Sequence, residues 1–333
     1  MLNRMLTQNE FRKHAEVLLD FCPYPAVRYK VLFSLLDVPY QDGELTALRK
    51  DFLRSDIVEE MYQTQDIHGG WGKLRSKDYS AKARIPTSGV GIERCLYIGL
   101  TVEDRDILFM AGEYLQELIL GQGREGVFEK NERANPWQKA IACNLLEAIT
   151  ADHPLCDETY EQWLYIANRA YEDGEYSYEK DKAAQHEVFL TREDRLVPMQ
   201  SELLLKRRRN IQEELEDAML RHLGGRANGQ GYFWEKTPGK LPEDFMYKQT
   251  RRWFHTFNYI NQFRGSGLYL DNAVEWLLAN VREDGLWDYG PQVKDPWGYF
   301  GYFSCNRHYS HNRVVDCTIE VLSFLKKYME NNP

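Results

Sequence analysis

One kind of turn recurs along this 333-residue chain and limits what the chain can fold into. In each copy a glycine stands one or two residues before an aromatic residue, and the copy follows a helix-like segment. Glycine tolerates the left-handed conformation that ends a helix, and the aromatic beyond it can fold back and pack beneath that helix. The pattern occurs five times: QDIHGGW (65–71), QGREGVF (122–128), YEDGEY (171–176), NGQGYFW (228–234) and REDGLW (282–287).

The five turns lie at nearly regular intervals. Their glycines are spaced 56, 48, 57 and 54 residues apart, counted from Gly70, Gly126, Gly174, Gly231 and Gly285. A fixed period of about 50 residues is the sequence signature of a repeat architecture. We interpret the aromatics that follow as structural, because aromatic side chains mostly fill cores; these are Trp71, Phe128, Trp234 and Trp287.

A second class of helix lies between the turns, and strand signals are nearly absent. These helices are expected at 87–100, 134–149, 246–263 and 311–328. A unit of helix, turn, loop and helix, repeated about five times, predicts an all-α chain. Such hairpins can close into an α/α toroid in which the second helices line the centre. We expect residues 1–54 to form a helical lead-in that packs on toroid repeats at 55–333, in one compact domain.

The turns resemble those of a known superfamily. Gln before Gly-x-aromatic at a helix end is similar to the QW-type repeat of squalene and oxidosqualene cyclases. The GGW and GxF forms resemble the repeats of protein prenyltransferase β subunits. The resemblance covers roughly residues 55–328, and residues 24–38 look like the lead-in of small bacterial cyclase-like proteins. It implies an α/α toroid with a central, aromatic-lined cavity for an isoprenoid-like or other partly apolar ligand.

The acidic motifs of that superfamily are missing. Class II terpene cyclases protonate their substrate with the middle Asp of a DxDD-type motif, and the nearest stretch here is VEDRDIL (102–108). We interpret it as the start of a helix, where acidic residues are favoured by the helix dipole. The chain also has no DDxxD motif, which holds magnesium in class I synthases.

A histidine- and cysteine-rich stretch, SCNRHYSHNRVVDC (304–317), is the densest chemical cluster. Imidazole, thiolate and carboxylate ligands together suit zinc, and prenyltransferases hold zinc with Asp, Cys and His. The candidate ligands are His308, His311, Asp316 and Cys317. The favoured alternative is that the histidines are loop residues and Cys317 is core, so zinc is possible but not favoured. The candidate catalytic residues are Asp316, His311 and His255.

A basic and aromatic stretch, YKQTRRWFHTFNY (247–259), could grip a diphosphate, because Arg binds phosphate bidentately. The alternative is a solvated basic face with aromatics packed behind it. Further ligand contacts are expected from inner helices, and the full set of candidate binding residues is Arg94, Trp137, Tyr247, Lys248, Arg251, Arg252 and Trp253. The helix expected at 205–222, by contrast, reads as amphipathic with a solvated basic run.

The composition of the chain indicates which classes of partner it does not bind. The net charge is −9, which argues against a nucleic-acid surface. No stretch reaches the ~18 apolar residues that span a bilayer, so we expect no stable membrane insertion. Six scattered cysteines without a CxxC motif and a charged N-terminus favour a cytoplasmic protein.

Three functions fit these features. The first is a terpenoid-cyclase-like or prenyltransferase-like protein that binds or transforms an isoprenoid-like ligand. The second is a carbohydrate-active α/α barrel, which would need paired carboxylates. The third is a non-catalytic toroid scaffold.

Overall fold

The computed structural model of the protein describes residues 6–76, 85–122, 135–190, 198–207, 211–226, 240–246, 250–291, 303 and 309–333, without the side chains at 135, 198–200, 251, 252, 255 and 256. These residues form fourteen α-helices and no β-strand, which confirms the predicted all-α class. The helices are α1 (Gln8–Phe21), α2 (Pro25–Lys30), α3 (Gly43–Leu53), α4 (Asp56–Thr64), α5 (Ser88–Ile98), α6 (Ile107–Ile119), α7 (Asn135–Ile149), α8 (Asp157–Ala170), α9 (Tyr178–Phe189), α10 (Pro198–Lys206), α11 (Glu213–Gly225), α12 (Thr250–Ile260), α13 (Gly267–Ala279) and α14 (Ser310–Asn331).

The chain divides into two compact units. The middle unit is Asp56–Met219, and the terminal unit combines Met1–Ser55 with Leu220–Pro333. The N-terminal helices therefore belong to the same unit as the C-terminal third of the chain.

The terminal unit is built on α14, the longest helix that the structure describes. Val315, Ile319 and Leu322, which recur at helical spacing, are all buried, and α14 packs against α1 and α13. Helix α1 begins with a capping box, in which Thr7 and Glu10 each accept a hydrogen bond from the other's backbone N–H. After α2 the backbone continues through one π-helical segment, Val31–Leu35.

The middle unit is organised around α7. This helix contacts α5, α6, α8 and α10. Every residue from Ala140 to Glu147 is buried, so the helix has no solvent-facing side over that stretch. A helix that is apolar nearly all round, as in the run AIACNLL, is typical of a buried element.

The first glycine–aromatic turn follows α4. Gly69 has φ +86°, and its N–H donates to the Asp66 carbonyl at 3.0 Å. The Asp66 N–H donates in turn to the Gly70 carbonyl at 2.8 Å. Gln65 closes the turn, because its Nε2 donates both to the Gly69 carbonyl at 2.8 Å and to the Ile107 carbonyl at 2.9 Å. The glutamine thus joins the end of α4 to the start of α6.

The turn after α13 repeats these bonds. Gly285 has φ +84°, its N–H donates to the Arg282 carbonyl at 2.9 Å, and the Arg282 N–H donates to the Leu286 carbonyl at 2.9 Å. Matching the two patterns aligns Gly285 with Gly69 rather than with Gly70. The turn at 171–176 has a glycine in the same place, since Gly174 has φ +79° and donates to the Tyr171 carbonyl at 2.8 Å. The turns at 122–128 and 228–234 lie outside the described residues.

In the two turns that end in tryptophan, the indole folds back onto its own helix, as the sequence predicts. Trp71 is buried, and its Nε1 donates to Thr64 Oγ1 on α4 at 3.1 Å. Trp287 is completely buried, and its Nε1 donates to the Leu277 carbonyl on α13 at 2.8 Å. The backbone N–H of each tryptophan donates to a hydroxyl on a later helix; the acceptors are Ser88 at 2.8 Å and Thr318 at 3.0 Å.

The Trp71 indole lies on a glycine of the next helix. A Cβ built at Gly91 on α5 would stand 2.5 Å from two ring carbons of Trp71. That separation is shorter than any van der Waals contact between carbons, so only glycine lets the indole reach the α5 backbone.

The stretch VEDRDIL precedes a helix, although no acidic residue lies in the first turn. Helix α6 begins at Ile107, and the carboxylate of the buried Asp104 accepts hydrogen bonds from the N–H and the hydroxyl of Thr101, each at 2.8 Å. Asp104 therefore closes the loop before α6.

Substituting Trp287 tests the packing of these turns. We expect Trp287→Ala to lower the free energy of unfolding by about 3–5 kcal/mol, because it removes a fully buried indole. Phe109→Ala is the matched control, since 55% of the Phe109 surface is exposed. Chemical denaturation measures both variants, and equal effects would contradict a structural role for the tryptophan.

Candidate functional site

The candidate residues of the basic stretch lie on or just before α12. Trp253 is completely buried and packs edge-on against Phe254, with ring centroids 5.3 Å apart. The structure therefore places Trp253 in the core of the terminal unit, where it packs rather than lines an open surface. Tyr247 and Lys248 lie outside the described residues, as do the side chains of Arg251, Arg252 and His255.

The histidine- and cysteine-rich stretch leads into α14. The His311 ring stacks on Phe21 of α1, with ring centroids 4.7 Å apart. Asp316 is buried, and its Oδ1 accepts the N–H of Phe303 at 3.1 Å. Burial raises the pKa of Cys22, and the negative charge of Asp316 raises it further.

The described residues of this stretch are not grouped as metal ligands. Among the described residues, no three His, Cys, Asp or Glu side chains are grouped so that they could hold a metal. Asp316 and Cys317 are consecutive on a helix, so their side chains point about 100° apart, and Cys317 is fully buried. His308 lies outside the described residues.

Arg94, the first candidate of the middle unit, is held in an ion pair. It is buried on α5, and its Nη1 lies 3.1 Å from Glu60 Oε2 on α4. A buried arginine with a carboxylate partner stabilises the contact between two helices as long as both charges remain. Trp137, on the first turn of α7, is partly exposed.

A group of charged residues around α7 was not among the candidates from sequence. Glu93 on α5 lies 3.5 Å from Arg75. Glu202 and Lys206 follow one another at a four-residue spacing on α10, and the Lys206 Nζ donates to the Asn144 carbonyl on α7 at 2.7 Å. Both α5 and α10 pack on α7. We call Arg75, Glu93, Glu202 and Lys206 the α7 charge cluster.

The protein environment shifts the proton affinities of two members of this cluster. Burial raises the pKa of Glu202; Lys206 and Arg75 act in the opposite direction, while the charge of Glu93 raises it further. Burial lowers the pKa of Lys206, and the carboxylates of Glu202 and Glu93 oppose that change. Lys206 is nevertheless exposed to solvent, and Glu202 is half-buried.

Arg207 fixes the end of α10 beside this cluster. Its Nε donates to Glu147 Oε1 on α7 at 3.0 Å, and its Nη1 donates to Asp157 Oδ1 on α8 at 2.6 Å. The same Glu147 carboxylate accepts the N–H groups of Asp152 at 2.9 Å and His153 at 3.1 Å. Arg207 is buried, so this member of the basic run predicted at 205–222 is not solvated, whereas Lys206 is exposed. Arg208 and Arg209 lie outside the described residues.

The sequence carries only a weak signal for the α7 charge cluster. Glu202 and Lys206 at i and i+4 have the spacing of an ordinary surface ion pair. The four members span 132 positions of the chain, from Arg75 to Lys206, and only the packing of α5 and α10 on α7 brings them together.

Comparison of the chain with models of protein families, with curated proteins and with solved structures found no match. Among the described residues, no helix has both the length and the apolar character needed to cross a membrane.

The two partners of Arg207 allow a matched test of the buried ion pair. We expect Glu147→Ala to destabilise the protein by about 3–5 kcal/mol, because it leaves the arginine charge buried without its main partner. Asp157→Asn removes the exposed partner and should cost at most about 1 kcal/mol. Denaturant unfolding measures both, and equal costs would contradict the assignment of Glu147 as the main partner.

The raised pKa of Glu202 predicts a pH dependence of stability. The folded state holds a proton on this carboxyl at pH values where the unfolded chain has lost it. Stability contributed by the protonated group therefore falls as the pH rises above the ordinary glutamate pKa of about 4.3. Glu202→Gln should flatten the fall in melting temperature above that pH. Glu161→Gln, at an exposed position on α8, should leave it unchanged; parallel profiles for wild type and Glu202→Gln would contradict the prediction.

Proposed function

We propose that this protein is an α/α-toroid protein of the terpenoid cyclase and prenyltransferase type that binds or transforms a small, partly apolar ligand. The matched turns at Gly69, Gly174 and Gly285 support the repeat architecture, because the same glycine-to-carbonyl bond closes each of them. The resemblance of these turns to QW-type repeats supports the toroid and the superfamily.

The α7 charge cluster is the observation that carries the proposal of an active site. Its two carboxyl groups lie in unlike environments: Glu93 is paired with Arg75, whereas burial favours the protonated form of Glu202. An acid and a base are usually two titratable groups held in unlike environments. This favours a catalytic site over a scaffold.

Glu202 is the residue that we propose as proton donor. Class II terpene cyclases begin by protonating the substrate with a carboxylic acid, and this chain has no DxDD motif to supply one. A glutamate whose pKa is raised by burial is suited to that role.

The same carboxyl pair also supports the alternative of a carbohydrate-active enzyme. Glycoside hydrolysis requires one protonated and one ionised carboxyl group on either side of the scissile bond, and Glu202 and Glu93 are a candidate pair. We also propose a cytoplasmic location with no nucleic-acid partner, supported by the net charge of −9 and by free thiols at the five described cysteines.

Thermal shift measurements with three ligand classes separate these functions. The ligands are farnesyl diphosphate, squalene in detergent and a panel of oligosaccharides. A ligand that binds the folded state stabilises it by about 2.7 kcal/mol at a hundredfold excess over its dissociation constant. We expect a shift with an isoprenoid ligand. An oligosaccharide shift alone would favour the glycosidase, and no shift with any of them would favour the scaffold.

The role of Glu202 is tested with the ligand that binds. Glu202→Gln keeps the shape of the protonated side chain, so it should retain binding while product formation falls by roughly a hundredfold or more. Glu161→Gln should retain both. Full turnover by the Glu202→Gln variant would contradict the assignment of Glu202 as proton donor, even if ligand binding is established.

A further inference from the structure

Two cysteines of the middle unit meet beneath the connection between α7 and α8. Cys143 lies on α7, and Cys156 is the last residue of a 3₁₀ turn, Pro154–Cys156, that leads into α8. Both cysteines are fully buried. Cys156 Sγ lies 3.8 Å from the carbonyl oxygen of Cys143, and the two thiols also interact directly with each other. A small movement of the side chains therefore brings the two sulfur atoms to bonding distance.

The two thiols differ in their readiness to lose a proton. Hydrogen bonds from the thiol of Cys156 and from Thr159, in the first turn of α8, lower the pKa of Cys143, and the charge of Lys139 acts in the same direction against the effect of burial. The contact between the thiols and burial raise the pKa of Cys156. A cysteine beside the first turn of a helix is also favoured as thiolate by the helix dipole. Cys143 is therefore the nucleophile of the pair.

Only a short surface segment covers Cys156. The connection between α7 and α8 exposes Ala151, Asp152 and Pro154 to solvent. Asp152 has φ +56°, a left-handed conformation that residues other than glycine adopt at a cost in free energy. Local opening of a short surface segment requires less free energy than unfolding of the core. An oxidant as small as hydrogen peroxide can therefore reach the pair while α7 stays folded.

From this arrangement we infer that Cys143 and Cys156 are a site of reversible oxidation, at which a peroxide converts the two thiols into a disulfide. The Cys143 thiolate attacks one peroxide oxygen, the O–O bond breaks, and a sulfenic acid forms on Cys143 as hydroxide leaves and takes up a proton. The Cys156 sulfur then attacks the Cys143 sulfur, and the S–O bond breaks with release of water. The two thiols lose two electrons and two protons in total, and the peroxide is reduced to two water molecules.

The disulfide would form within the turn that anchors Arg207. The carbonyl of His153 accepts Arg207 Nη2 at 2.8 Å, and the carboxylate of Asp157 accepts Nη1 at 2.6 Å. These two residues lie on either side of Cys156, so oxidation constrains the segment on which the end of α10 is fixed. The inference does not depend on the function proposed for the middle unit.

Peroxide treatment of the folded full-length chain tests the inference. The treated protein is blocked with iodoacetamide in denaturant and digested with a protease that cleaves after glutamate. Cleavage at Glu147 separates the two cysteines, so only a disulfide keeps their peptides joined. We expect mass spectrometry to find the joined peptides at least roughly tenfold more abundant than in untreated protein, and dithiothreitol to separate them. Absence of the joined peptides from treated, folded protein would overturn the inference.

Substitutions identify the role of each cysteine. Cys156→Ser should abolish the joined peptides and leave a sulfenic acid on Cys143, which dimedone traps. Cys95→Ser is the matched control, because Cys95 is equally buried on the neighbouring α5, and it should leave the joined peptides unchanged.

A measurement on the wild type alone covers the case in which Cys156→Ser does not fold. The rate of disulfide formation is followed at increasing denaturant concentrations, beginning well below the unfolding transition. We expect the disulfide to form before the chain unfolds, because only local opening is required. Formation only at concentrations that unfold the whole chain would overturn the inference.

Discussion

The buried ion pair between Glu147 and Arg207 holds the middle unit together. One carboxylate accepts the arginine and two backbone N–H groups, so it connects α7, the turn before α8 and the end of α10. A charge removed from water is tolerated only when its partners are fixed. That requirement specifies where α10 lies on α7, and hence where Glu202 and Lys206 are presented.

The repeated turns also connect separate helices, but through uncharged groups. In the two turns that end in tryptophan, a left-handed glycine closes the turn, the indole donates to the preceding helix and the tryptophan N–H donates to a later one. Each turn therefore satisfies its own polar groups and buries a large apolar surface at once. Repetition of such a unit accounts for how the described residues, which form no strand, build two helical cores.

The helices and the turns could be predicted from sequence because their causes are local. Helical spacing marks the buried face of α14, and glycine before an aromatic marks each turn. The alignment of the first turn with the last could not be predicted from sequence, because Gly69 and Gly70 are adjacent. Only the hydrogen bonds identify Gly69 as the counterpart of Gly285. The α7 charge cluster could not be predicted, because Arg75 and Glu202 meet through packing between helices far apart in the chain. In sequence, Glu202 and Lys206 resemble an exposed pair.

The contact between Trp71 and Gly91 also bears on how sequences of this kind can diverge. The indole occupies the space that a Cβ at position 91 would need, so neither position can change alone without loss of the contact. A relative with a larger residue at 91 must carry a smaller one at 71, and the two substitutions should be inherited together. Covariation of this pair would serve as a marker for aligning distant relatives.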